Sequence, residues 1–144
     1  MYNILKSAHS GWAYLLLLVL FVATVNALIG FFGKKEFGNK DFSFALVGLI
    51  VTHIQLLIGL ALWALSPYSS ALFSNTSEVM STPALRLLAL EHPLMMIIAV
   101  TLLTIGYSKH KKKIVSNGKF KMLSIFYTLS FIVVLSRLPW SQWL

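Results

Sequence analysis

Five side chains place an ionisable group at or inside an apolar stretch: His9, His53, Glu91, His92 and Arg137. Ionisable groups are costly within a membrane helix, so each is a functional candidate by default. A neutral imidazole offers one nitrogen lone pair to a metal while its other nitrogen keeps a proton. Two imidazoles at one height on different helices are what axial ligation of a single b-type haem requires, with the macrocycle slotted between the helices. A guanidinium such as that of Arg137 suits a haem propionate. Glu91 reads either as the counter-ion of Arg137 or as the acceptor for the far N–H of a ligating histidine. Glu91 and His92 are neighbours on one helix and point about 100° apart, so they address different partners.

Height separates the histidines. Counted at ~1.5 Å per residue from the basic ends of the apolar runs, His53 lies about 18 Å up, His92 about 22 Å and Arg137 about 24 Å. His9 falls at roughly 36 Å on the same count. The expected ligand pair is therefore His53 with His92, with Arg137 anchoring a propionate and Glu91 tuning charge. His9 is the alternative partner of His92 if the first helix begins outside the hydrocarbon; otherwise it is an interfacial residue before Gly11-Trp12. The same residues also admit a cofactor-free reading, in which Glu91 and Arg137 form an ion pair and the histidines bond to neighbouring helices. No serine–histidine–acid arrangement or non-haem metal motif can be read out. Met95 and Met96 read as gap fillers.

The elements that hold these groups follow from composition. The chain has 144 residues, 58% hydrophobic and 11% charged, with a mean hydropathy of +0.80. A soluble domain carries about 25% charge, so a water-soluble globule and a disordered chain are both excluded. Four apolar runs, 11–32, 42–65, 84–107 and 120–138, each have the ~17–25 residues of a membrane-crossing helix. Backbone groups in hydrocarbon must be paired internally, which leaves helices as the expected form. The expected fold is all-α: an integral membrane four-helix up-down bundle forming one domain over 1–144, with helices near 8–32, 42–65, 84–107 and 120–138. A cleaved signal peptide is not expected. The absence of cysteine excludes disulfides, thiolate chemistry, iron–sulfur clusters and covalent haem attachment.

The net charge of +8 is unevenly placed. Lys34, Lys35, Lys40, Lys109, Lys111, Lys112, Lys113, Lys119 and Lys121 flank the first and third connections; Lys6 and Arg86 flank the other side. The positive-inside rule then puts both termini on the outer, periplasmic side, and Trp12, Trp63, Trp140 and Trp143 mark the outer helix ends. Lipid head groups, rather than nucleic acid, are the expected partner of the basic collar. His110 falls within the basic stretch 109–113 and is expected to be solvated. Gly48, Thr52, Gln55 and Gly59 form one small and polar seam suited to close helix contact, and Tyr127, Ser130, Val134 and Arg137 form an inward stripe. Asn26 is expected to bond between helices. Pro93 frees the carbonyl of Ala89 and should kink its helix.

Several segments together carry a family likeness: His9-Ser10-Gly11-Trp12, the run from His53 to Leu60, Glu91-His92-Pro93-Leu94-Met95-Met96, and Ser136-Arg137-Leu138-Pro139-Trp140. Along nearly its whole length the chain resembles small bacterial four-helix membrane proteins labelled cytochrome b-like. The resemblance implies His53 and His92, with His9, as candidate haem b ligands and Arg137 as a propionate partner. It implies electron transfer within the bacterial inner membrane, with a quinone or a redox protein as partner, in an oligomer or larger complex. Each helix carries at most one candidate ligand, so a single haem is the limit.

Overall fold

The computed structural model describes residues 1–143 and contains helices with no strand among them. α1 (Tyr2–Phe32) and α2 (Asn39–Leu65) are followed by two short helices, α3 (Pro67–Ser74) and α4 (Thr76–Ser81). A third long helical segment runs from Pro83 to Lys112. It comprises α5 (Pro83–Arg86), a π-helical turn over Leu87–Glu91 and α6 (His92–Lys112). α7 (Ser116–Ser136) and the short α8 (Trp140–Trp143) close the chain. Four helical segments are long and apolar enough to cross a membrane.

The helix limits have local causes. Pro67 and Pro83 stand in the first turns of α3 and α5, where a missing N–H costs nothing. Asp41 ties the start of α2 to α1: its carboxylate accepts from the Gly38 N–H at 2.9 Å and from the Asn26 side-chain amide at 2.9 Å. Asn26 is thus the interhelical bonder expected of it. The Phe37 N–H donates to Ser116 Oγ at 2.8 Å and pins the first connection to the start of α7.

α1 packs on α2 and α7, and α6 packs on α7 and α2, so the long helices form a closed ring whose loosest seam is α2–α6. The shared core contains Leu20, Ala99, Leu103 and Tyr127, none of them exposed. Hydrogen bonds cross the seams where hydrocarbon offers no alternative partner. The Trp12 indole N–H donates to the Val51 carbonyl (2.9 Å), Tyr127 Oη to the Ala45 carbonyl (2.7 Å) and Ser130 Oγ to the Ala99 carbonyl (2.8 Å). Tyr127, Ser130 and Val134 of the expected inward stripe are buried, but its fourth member, Arg137, is exposed where α7 ends. Gly30 lies beneath the Phe120 ring, where an added Cβ would come within 2.2 Å of the ring. The outward faces are apolar: Leu18, Phe21, Ile50, Leu57 and Ile132 are all exposed. Exposed apolar surface on every long helix is what a lipid-facing bundle needs and a soluble monomer avoids.

One expectation is overturned at the basic end. His110 is fully buried rather than solvated. The helix continues past Tyr107 to Lys112, because nothing in Ser108–Lys112 breaks it. Ala99, Leu103, Gly106 and His110 then recur along one buried face, while Lys109, Lys111 and Lys112 turn outward. The His110 ring sits among Phe37, Phe42 and Tyr107, with centroids 4.9–6.0 Å away.

Candidate functional site: a histidine pair between the helices

His9 and His92 face each other across the bundle. Their ring centroids are 6.1 Å apart and their planes stand at 83°. They line a cavity of about 240 Å³ walled by all four long segments, through residues such as Ala13, Gln55, Gly59, Met96 and Val134. The exposed Lys6 and Gln142 stand at its rim.

Each ring is held by its own helix and one neighbour. His92 opens α6, one residue beyond the π-turn. Its Nδ1 lies 2.8 Å from the Arg137 carbonyl. A carbonyl only accepts, so Nδ1 carries the proton and Nε2 keeps a free lone pair. The helix start beneath it is also fixed from outside. Pro93 has no N–H for the Ala89 carbonyl, as its sequence position implies, and that carbonyl instead accepts the Trp63 indole N–H at 2.8 Å. His9 sits on α1 against α2. Its carbonyl accepts from the Gln55 amide at 2.7 Å, and its ring lies over Gly59, where an added Cβ would come within 2.8 Å of Cε1. The seam of small and polar residues on α2 therefore seats a ring as well as a helix. His9 Nδ1 and Gln55 Oε1 are buried and without a hydrogen-bond partner.

The ionic residues form an adjoining cluster. The Glu91 carboxylate pairs with Arg86 Nε at 2.9 Å and with Arg137 Nε at 3.7 Å. The expected contact with Arg137 exists, and Arg86 adds a second that no spacing within the sequence signals. Neither arginine nor Glu91 lines the cavity; the cation that does is Lys6. The group Arg137 gives to the site is its main-chain carbonyl.

His53 is elsewhere. Its Nδ1 donates to the Leu49 carbonyl at 2.8 Å, its Nε2 faces Thr104 Oγ1 at 3.3 Å, and it lines a separate cleft between α2 and α6. The expected pairing of His53 with His92 is replaced by His9 with His92, and helix length explains why. Counted from Lys112, where the third segment ends, His92 is about 30 Å up. Counted from Ser116, Arg137 is about 32 Å up, and from Phe32, His9 is about 35 Å up. His53, counted from Asn39, reaches only about 21 Å. The apolar runs end sooner than the helices do at their basic ends, which lowered His92 to the level of His53.

Two imidazoles bound to opposite sides of one metal ion, at about 2.0–2.1 Å per metal–nitrogen bond, hold their centroids roughly 6 Å apart. The observed spacing agrees with that. No group of three or more His, Cys, Asp or Glu side chains able to hold a metal occurs among the described residues, so the protein's donor set here is two nitrogens. No family model, curated protein or solved structure matches the chain.

Proposed function

We propose that this protein is a b-type haem carrier of a bacterial cytoplasmic membrane, an up-down bundle with both termini on the periplasmic side. His9 and His92 would hold the haem iron, one from each side of the cavity. The observation that carries this reading is the pair itself: two imidazoles on different helices, 6.1 Å apart across a cavity, with the Nδ1 proton of His92 committed to a carbonyl. Two nitrogens are too few for a closed zinc site, but they complete an iron whose other positions a macrocycle fills.

Bound there, haem b would exchange single electrons with no coordination position left open for oxygen. The residues of the chain do the rest. The Arg137 carbonyl fixes the tautomer and direction of His92, and the Gln55 amide, which donates to the His9 carbonyl, holds that stretch of α1 against α2. Lys6 at the rim offers a cation to a propionate, the role first expected of Arg137. Glu91, held between two arginines, leaves one positive charge over beside the site.

Protein purified in mild detergent from haem-replete cells should show a sharp reduced α band on addition of dithionite. The band should be lost in His9→Ala and His92→Ala and kept in His53→Ala. A colourless, monodisperse protein would sink the proposal. It would favour the alternative of a cofactor-free accessory subunit, in which the Arg86–Glu91–Arg137 cluster and the histidines brace a larger assembly.

A further inference from the structure

α8 lies at the mouth of the cavity that holds His9 and His92. Gln142 and Trp143 line that mouth together with Tyr2 and Lys6 of α1 and Tyr68 of α3. α7 ends at Ser136, and Leu138, packed against the core, is the last firm point before α8. Pro139 has no N–H with which to continue the helix, so α8 starts afresh beyond it.

Little holds α8 down. Among the described residues its hydrogen bonds stay within 135–143. The Trp140 indole N–H donates to the Leu135 carbonyl at 3.0 Å, and the Gln142 and Trp143 N–H groups donate to the Pro139 carbonyl. Trp140, Ser141 and Gln142 are exposed, whereas Trp143 is half-buried. Its ring packs on Tyr14 of α1, with centroids 4.7 Å apart. Tyr14 is itself exposed and is not part of the cavity wall. One aromatic pair therefore ties α8 across to α1. Such a pair shifts an equilibrium by roughly two- to tenfold beyond the area it buries, enough to close a short helix without locking it.

The side route is blocked. Leu56 and Val100 line both this cavity and the cleft of His53, and so stand between the two. At the mouth, by contrast, Lys6 offers an anion a cation to approach.

We infer that α8 is a lid: it swings about Leu138-Pro139, parts Trp143 from Tyr14, and admits the ligand of the His9–His92 cavity at the end of the bundle where Tyr2 and Trp143 meet. That the ligand is haem rests on the reading above; the lid rests on the fold alone.

The chain has no cysteine, so one introduced thiol reports access. Met96→Cys places it in the cavity wall on α6, away from Tyr14, and Ala13→Cys repeats the test from α1. Full-length protein from haem-depleted cells is treated in mild detergent with a permanently charged methanethiosulfonate, with the exposed Asn75→Cys as reference. The cavity thiol should react more slowly than the reference. Tyr14→Ala should speed it about fivefold, the order of one aromatic pair, at unchanged helix content and unchanged reference rate. Tyr14→Phe, which keeps the ring, should react as the parent does. A cavity thiol as fast as the reference, no change in Tyr14→Ala, or acceleration by Leu56→Ala instead would each overturn the inference. Thiol access and the dithionite spectrum are separate readouts. A lid that responds to Tyr14→Ala in a protein without an α band rejects only the haem proposal; an α band with thiol access indifferent to Tyr14 rejects only the lid.

Discussion

The proton on His92 Nδ1 is committed to the main-chain carbonyl of Arg137, 2.8 Å away across the α6–α7 seam. The acceptor is backbone, so it survives any substitution of the Arg137 side chain. Arg137→Ala should therefore keep the reduced α band, well short of the ~10–100-fold loss of metal affinity that follows when a ligand's supporting acceptor is removed. His92→Ala should abolish the band. Haem titration of the two purified variants separates them, and equal losses would show that the guanidinium itself holds the cofactor.

Gly59 lets the His9 ring lie against α2. An added Cβ would come within 2.8 Å of Cε1, so Gly59→Ala should push the ring and reduce haem occupancy severalfold at unchanged helix content. Gly48 serves as the control. A Cβ there meets Ala23 and Tyr127 at 3.5 and 3.6 Å, an ordinary contact, and Gly48→Ala should bind as the parent does.

The Tyr127 hydroxyl donates to the Ala45 carbonyl across the buried core, diagonally from α7 to α2. Interhelical bonds within membranes contribute about 0.6 kcal/mol on average and about 1.7 at most. Tyr127→Phe should lower stability by that order in a detergent-unfolding titration and leave the spectrum alone. A much larger loss would mean that the ring shifts as well.

Orientation has a clean test because the chain has no cysteine. Asn75 and Lys35 are both exposed and lie in different connections. In intact spheroplasts a membrane-impermeant maleimide should label Asn75→Cys and spare Lys35→Cys until the membrane is opened. The reverse pattern would invert the proposed topology.

Glu91 sits one residue from His92 and holds two arginines. Glu91→Gln removes a negative charge beside the candidate ligand, which disfavours the oxidised, more positive form of a bound haem. The reduction midpoint should rise. The ion pairs are partly exposed, so the stability change should stay below about 1 kcal/mol. An unchanged midpoint would detach the cluster from the redox site.

Much of the frame was legible in the sequence because hydrocarbon leaves few alternatives: long apolar runs become helices, and small or polar seams face inward. Glu91, His92 and Arg137 were rightly set at one level. The partner of His92 was misjudged because hydropathy ends a helix where charge begins. Lysines at a membrane surface extend a helix without lowering its order, so the third segment runs on to Lys112 and lifts His92 away from His53. His110 was misread for the same reason. Lys6 as the rim cation, Arg86 on Glu91 and Trp63 on the Ala89 carbonyl depend on which helix faces which, and pattern within one segment carries no such information.

The π-turn at Leu87–Glu91 fits a widened turn into a helix that would otherwise run straight from Pro83 to Lys112. A residue gained or lost there rotates one side against the other by about 100°. The turn thus sets the phase between two contacts: α6 beyond it aims the His92 ring at His9, and Arg86 before it reaches on to Glu91 within it.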